Sequence, residues 1–125
     1  MKLVALVIAC VICNASAQLL LKLGASGPAG KLLREEAANL GVWFGILTGW
    51  PTLTGIGLWT VSTLLWIYVL AGSELSYAYA LYGLNYVVTP LLASWYFKES
   101  LNGLQYAGIA LITLGVGLTI SGRLN

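Results

Sequence analysis

Charged positions cut this chain into long apolar stretches of similar size. Residues 3–21, 75–97 and 100–122 carry no charge, and a further apolar run covers 52–72. Each run approaches the ~20 residues that a helix needs to cross a ~30 Å hydrocarbon layer at ~1.5 Å per residue. The pattern predicts an all-α membrane protein with four transmembrane helices, at 3–23, 52–72, 75–97 and 101–122, in one domain over 1–125. The links at 72–75 and 97–101 are short, so the last three helices should run as close antiparallel neighbours.

Only the first connection is long. It reads GASGPAGKLLREEAANLGVWFGILTGWP, a Gly and Pro rich turn followed by charges beside Leu32, Leu33, Leu40, Trp43 and Phe44. That mixture predicts an amphipathic segment over 31–48 lying in the membrane interface, with a surface loop as the plainer alternative. Gly49-Trp50-Pro51 then turns the chain back into the membrane, with Trp50 at the depth of the aromatic belt.

Composition agrees with a multi-pass membrane protein: 59% of residues are hydrophobic and 8% charged, where soluble domains have about a quarter charged. A net charge of +2 is too small to argue for nucleic-acid binding. Lys22, Lys31, Arg34 and Lys98 fall on one side of the predicted helices and Lys2 and Arg123 on the other, a bias that favours both termini outside the cytoplasm. The opening residues also imitate a secretory signal, with Lys2, an apolar run and Ala15-Ser16-Ala17 as a cleavage site before Gln18. The apolar run continues through Leu19-Leu20-Leu21 to Lys22, so we expect a retained first helix.

Polar residues inside these spans are the candidates for function, because such groups face a bundle interior or a wet cavity. Asn14, Gln18 and Lys22 recur every four residues and form one stripe ending in a cation, suited to an anionic lipid headgroup. Hydrogen bonding between helices, with a snorkelling Lys22, is the plainer account. In the third span Tyr79, Tyr82, Asn85, Tyr86 and Thr89 share one broad face ahead of Pro90, where a kink is expected. The fourth span presents Gly108, Gly115, Gly117 and Ser121 for close helix packing, within one chain or between two. Cys10 and Cys13 have no His and no third Cys to join them, so they are expected to be small lipid-facing or packed side chains rather than redox or metal-binding groups. No Asp occurs, and all four Glu lie outside the spans. With no buried acid or His to activate a nucleophile, catalysis is not expected, and neither is a cofactor.

These residues resemble a known family. The whole chain is similar to the four-helix small multidrug resistance proteins and their EamA-like relatives in the drug/metabolite transporter superfamily. AYALYGLNYVVTPLLASWYFKESL resembles that superfamily's third-helix segment, and Gly108 to Val116 resembles the G-x-x-L-I-x-x-G-V motif through which multidrug members dimerise. The resemblance thus implies Gly108, Leu111, Ile112, Gly115 and Val116 as dimer packing residues, and an antiparallel (inverted) dimer. The multidrug exporters carry a membrane-embedded Glu where this chain has Asn14, which does not exchange a proton. NASAQLLLK instead resembles the S-x-x-G-Q-L-x-x-K segment of aminoarabinose-phosphoundecaprenol flippase subunits, with Ala17 in place of the Gly.

The resulting expectation is a flippase of the bacterial cytoplasmic membrane for polyprenyl-phosphate-linked sugars or related anionic lipids. Lys22 with Arg34 would attract the phosphate, while Asn14, Gln18, Tyr79, Tyr82 and Asn85 would line the route of the sugar. The expected partners are that glycolipid, membrane lipids, and a second copy or a paralogous small membrane protein. A small multidrug-type exporter of cationic or polar compounds is the runner-up, and a non-transporting subunit of a membrane complex the third reading.

Overall fold

The structure, a computed structural model, describes residues 1–125 and is entirely helical. Seven helices follow one another: α1 (Lys2–Gly24), α2 (Gly27–Glu35), α3 (Leu40–Leu47), α4 (Trp50–Ala71), α5 (Leu75–Tyr82), α6 (Asn85–Phe97) and α7 (Gly103–Leu124). Three of them, α1, α4 and α7, are each long and apolar enough to cross a membrane.

Local chemistry sets the boundaries. Pro51 stands in the first turn of α4, where its missing N–H costs nothing and its fixed φ suits a helix start. The α7 start lies at Gly103 rather than residue 101 because Asn102 and Gln105 form a capping box. The Asn102 carboxamide oxygen accepts from the Gln105 amide at 2.9 Å, and the Gln105 side chain accepts from the Asn102 amide at 2.8 Å.

The long first connection is two helices, not one amphipathic segment. Asn39 separates them: its side-chain oxygen accepts from the Gly41 amide at 2.9 Å and starts α3 afresh. The charges stay on α2 and its exit, whereas α3, LGVWFGIL, is uncharged on every face.

The predicted span at 75–97 is interrupted at Gly83-Leu84, seven residues before Pro90, and α6 runs on through Pro90 to Phe97. Gly83 (φ −52°, ψ −24°) and Leu84 (φ −56°, ψ −25°) have the angles of a 3₁₀ helix. Their hydrogen bonds agree, since the amides of Gly83, Leu84, Tyr86 and Val87 each reach the carbonyl three residues back. The path therefore stays helical while tightening by one turn between α5 and α6.

The helices alternate in direction, α1 against α4, α4 against α5 and α6, and these against α7. Lys22 and Lys98 lie at one end of the bundle, and Lys2 and Arg123 at the other. Helices α1 and α4 make the most intimate pair. Ser62 Oγ donates to the Cys10 carbonyl at 3.0 Å, and Cys10 Sγ approaches the Ser62 carbonyl at 3.2 Å, so the two buried residues clasp each other across the helix interface. Further along, a Cβ on Gly55 would stand 3.1 Å from the Ala17 carbonyl oxygen and 3.2 Å from Leu20. A Cβ on Gly24 would overlap the Thr52 hydroxyl. Small residues thus let the backbones approach where no hydrophobic effect drives association.

Val7 and Val11 of α1, Val69 of α4, Ala78 and Leu81 of α5 and Val116 of α7 form the apolar core, near the end that holds Lys2. Helix α7 buries only Val116 in it, with the half-buried Ile120 packed alongside; Leu111, Leu114 and Leu118 are exposed, and a Cβ on Gly108, Gly115 or Gly117 would meet nothing within 4 Å. Gly55→Val should lower stability by about 1–3 kcal/mol through overpacking against α1. Gly57→Ala, with open space at its Cβ, should change it little. Reversible unfolding in mixed detergent micelles would compare the two.

Candidate functional site

The polar stripe of α1 lies along α6, with its two ends at the two ends of that helix. Asn14 is 4% exposed, and its Nδ2 donates to Asn85 Oδ1 at 3.0 Å, in the first residue of α6. The same oxygen accepts from Thr89 Oγ1 at 3.2 Å, one turn along. Lys22, two turns beyond Asn14 and ~12 Å up the helix, reaches the end of α6, where it pairs with Glu99 and sits 4.8 Å above the Phe97 ring. Gln18 is exposed between them.

The link after α6 is built to bring Glu99 back over the helix end. Lys98 takes the left-handed conformation (φ 53°), unusual for a residue with a side chain. Ser94 Oγ donates to the Glu99 carbonyl at 2.8 Å and secures the returning chain. The cation of the stripe thus has a carboxylate partner, and both groups remain about half exposed.

Tyr79 and Tyr82 do meet, and they do so around a third ring. Trp66 of α4 stands with centroid separations of 5.6 Å from Tyr79 and 4.7 Å from Tyr82, in edge-on and tilted geometries favoured by aromatic quadrupoles. Tyr82 is half-buried, whereas Tyr79 and Tyr86 open outward at 61% and 67% exposure. Arg34 is not brought to Lys22: its Nε donates at 3.3 Å to the Gly30 carbonyl within α2. Of the five residues on the proposed α7 face, Val116 turns into the chain's own core and the other four do not.

Beside the Lys22 end of the stripe runs an apolar groove of about 220 Å³, lined by Ser16, Leu19, Leu20 and Leu23 of α1 with Trp50 and Tyr96. Ligand sites for drug-sized molecules have ~300–1,000 Å³. The groove therefore suits a segment of a lipid chain rather than a whole ligand. Trp66, Phe97 and Glu99 complete the arrangement and escaped the sequence reading, since each lies far along the chain from the residue it meets. A Glu at a span end, at the same predicted membrane face as Lys22, was the one available signal for the ion pair.

The chain is 42% identical over 77 residues to a protein of Pectobacterium atrosepticum named as a probable 4-amino-4-deoxy-L-arabinose-phosphoundecaprenol flippase subunit ArnE, a match covering 62% of this chain and 64% of that one. A protein of the same name from Pseudomonas savastanoi pv. phaseolicola is 36% identical over 67 residues, 54% of this chain and 56% of that one. A third, from Pseudomonas syringae pv. syringae, is 31% identical over 102 residues, 82% of this chain and 92% of that one. The chain belongs to the ArnE flippase-subunit family. This places it among the small multidrug resistance-like and EamA-like members of the drug/metabolite transporter superfamily, as a multi-pass protein of the bacterial inner membrane. The ArnE relatives are named as flippase subunits, not enzymes. The match spans less than two thirds of the first two relatives' length. No family model and no solved structure matches the chain.

Asn85→Leu should strand the buried Asn14 amide and lower stability by about 1–2 kcal/mol. Adding Asn14→Leu to it should recover part of that loss, because no buried polar group is then left alone. A double-mutant cycle of unfolding in micelles reads the coupling.

Proposed function

We propose that this chain is one subunit of a flippase that moves polyprenyl-phosphate-linked sugars, or closely related anionic lipids, across the cytoplasmic membrane. The observation that carries this reading is Lys22 at the end of α1, with an apolar groove on one side and a polar seam leading inward to Asn14 and Asn85. An amphiphile with a phosphate between a sugar and a long prenyl chain needs all three. The phosphate pairs with Lys22, the sugar exchanges hydrogen bonds with Gln18 and the Asn85 amide, and the prenyl chain remains in the groove and the surrounding lipid. The rings of Tyr79 and Tyr82, packed against each other and against Trp66, offer a sugar both apolar faces and hydroxyl partners. Arg34 is left with a role on α2, in attraction of anionic lipid to the interface rather than in the seam.

In this reading α5 and α6 together form the third of four spans in a single domain, with the 3₁₀ turn at Gly83-Leu84 as the point where its two halves move relative to each other. The small groove and the exposed α7 face both favour a dimer, with a second copy or a paralogous small membrane protein packed on Gly108, Leu111, Ile112 and Gly115. Inverse orientation of the two subunits would give one transporter two matched halves that rock for alternating access. The relatives' description as subunits supports a partner chain. A proton-coupled cation exporter fits less well, since Asn14 cannot take up a proton and no carboxylate lies inside a span.

Purified chain in liposomes, alone and with its partner, should flip fluorescently labelled polyprenyl-phosphate sugar. Lys22→Ala should slow flipping at least tenfold without loss of folding, and Lys22→Arg should retain most of it. Full transport by folded Lys22→Ala would remove the cation from the mechanism.

A further inference from the structure

Two ion pairs of similar construction stand at opposite ends of the bundle. At one end are Lys22, Glu99 and the Phe97 ring. At the other, Arg123 Nη1 lies 3.1 Å from Glu74 Oε2, and its guanidinium carbon lies 4.6 Å from the centre of the Tyr77 ring. Each cluster has a cation in the last turn of a long helix, a carboxylate in a short link between helices, and an aromatic ring beneath the cation. The helix C-terminus favours the cation in both places.

Both pairs are substantially exposed. The side chains of the Arg123–Glu74 pair are 46% and 72% exposed, and exposed ion pairs contribute little to stability. What each pair does is keep a cation neutralised and resting on a ring while leaving it within reach of water and lipid headgroups. The first-turn amides of α5 beside Glu74 have no side-chain cap.

We propose that Arg123, Tyr77 and Glu74 form a second phosphate-headgroup site at the membrane face opposite Lys22, and that in both sites the glutamate is a placeholder displaced by a lipid phosphate. The proposal deepens the lipid-transport reading and rests on it. A lipid phosphodiester carries the same single charge as a carboxylate but can offer the guanidinium two parallel hydrogen bonds, where Glu74 makes one. The displaced Glu74, already the more exposed partner, turns into water. A carrier with one such site at each face captures the headgroup on one side and receives it on the other. The resting glutamates keep each cation occupied when no lipid is bound.

The test is calorimetric titration of the purified full-length chain in dodecyl maltoside with farnesyl phosphate, with inorganic phosphate and farnesol as parallel probes. The expected result is two farnesyl phosphates bound per chain and none of farnesol. Arg123→Gln should lose one site and keep the other, Lys22→Gln should do the converse, and Glu74→Gln should tighten the Arg123 site several-fold. Glu74→Gln keeps the test decisive if Arg123→Gln fails to fold. Unchanged stoichiometry in folded Arg123→Gln, or unchanged or weaker binding in Glu74→Gln, would overturn the second site alone. Equal affinity for inorganic phosphate would overturn its assignment to lipid. No farnesyl phosphate binding at either end would overturn the reading on which the proposal rests as well.

Discussion

The close approach of α1 and α4 is the constraint on which the other placements depend. In hydrocarbon two apolar helices gain nothing from excluding water, so contact has to come from packing and from hydrogen bonds across the interface. The Cys10–Ser62 clasp and the small residues at Gly24 and Gly55 supply both. With one face of α1 sealed against α4, its polar stripe is left to α6. The amide pair Asn14–Asn85 and the cation at Lys22 follow from that orientation.

The bundle then divides by chemistry along its length. Apolar contacts among α1, α4, α5 and α7 gather toward the end that holds Lys2, and the polar seam and the small apolar groove occupy the other half. The 3₁₀ turn at Gly83-Leu84 falls between the two and joins α5, which buries Ala78 and Leu81, to α6, which has no buried residue. Helix α7 touches this arrangement lightly and leaves most of its surface for lipid or a partner.

Hydropathy made the long helices legible to within one or two residues at α1 and α4, because a span is a compositional feature. The stripe on α1 was legible too, being a matter of helical period within a single segment. The break at Gly83-Leu84 left no comparable trace: a 3₁₀ turn changes hydrogen-bond partners without changing composition. The division of the interfacial segment depended on one cap, Asn39, inside a run already rich in polar residues. Trp66 beside the tyrosines and Glu99 over Lys22 belong to other helices and links, so only the packed topology brings them into view. Arg34 shows the converse, a charge at the right membrane face that folds back onto its own helix.

The most direct test of the account is to locate the lipid itself. A polyprenyl phosphate carrying a diazirine in its first isoprene units, photolysed with the protein in liposomes and mapped by mass spectrometry, reports which side chains it touches. The account predicts adducts concentrated on Leu19, Leu20, Leu23, Trp50 and Tyr96, and their loss when Lys22 is replaced by Ala. Adducts confined to α7, or a groove labelled equally with and without the Lys22 cation, would contradict it.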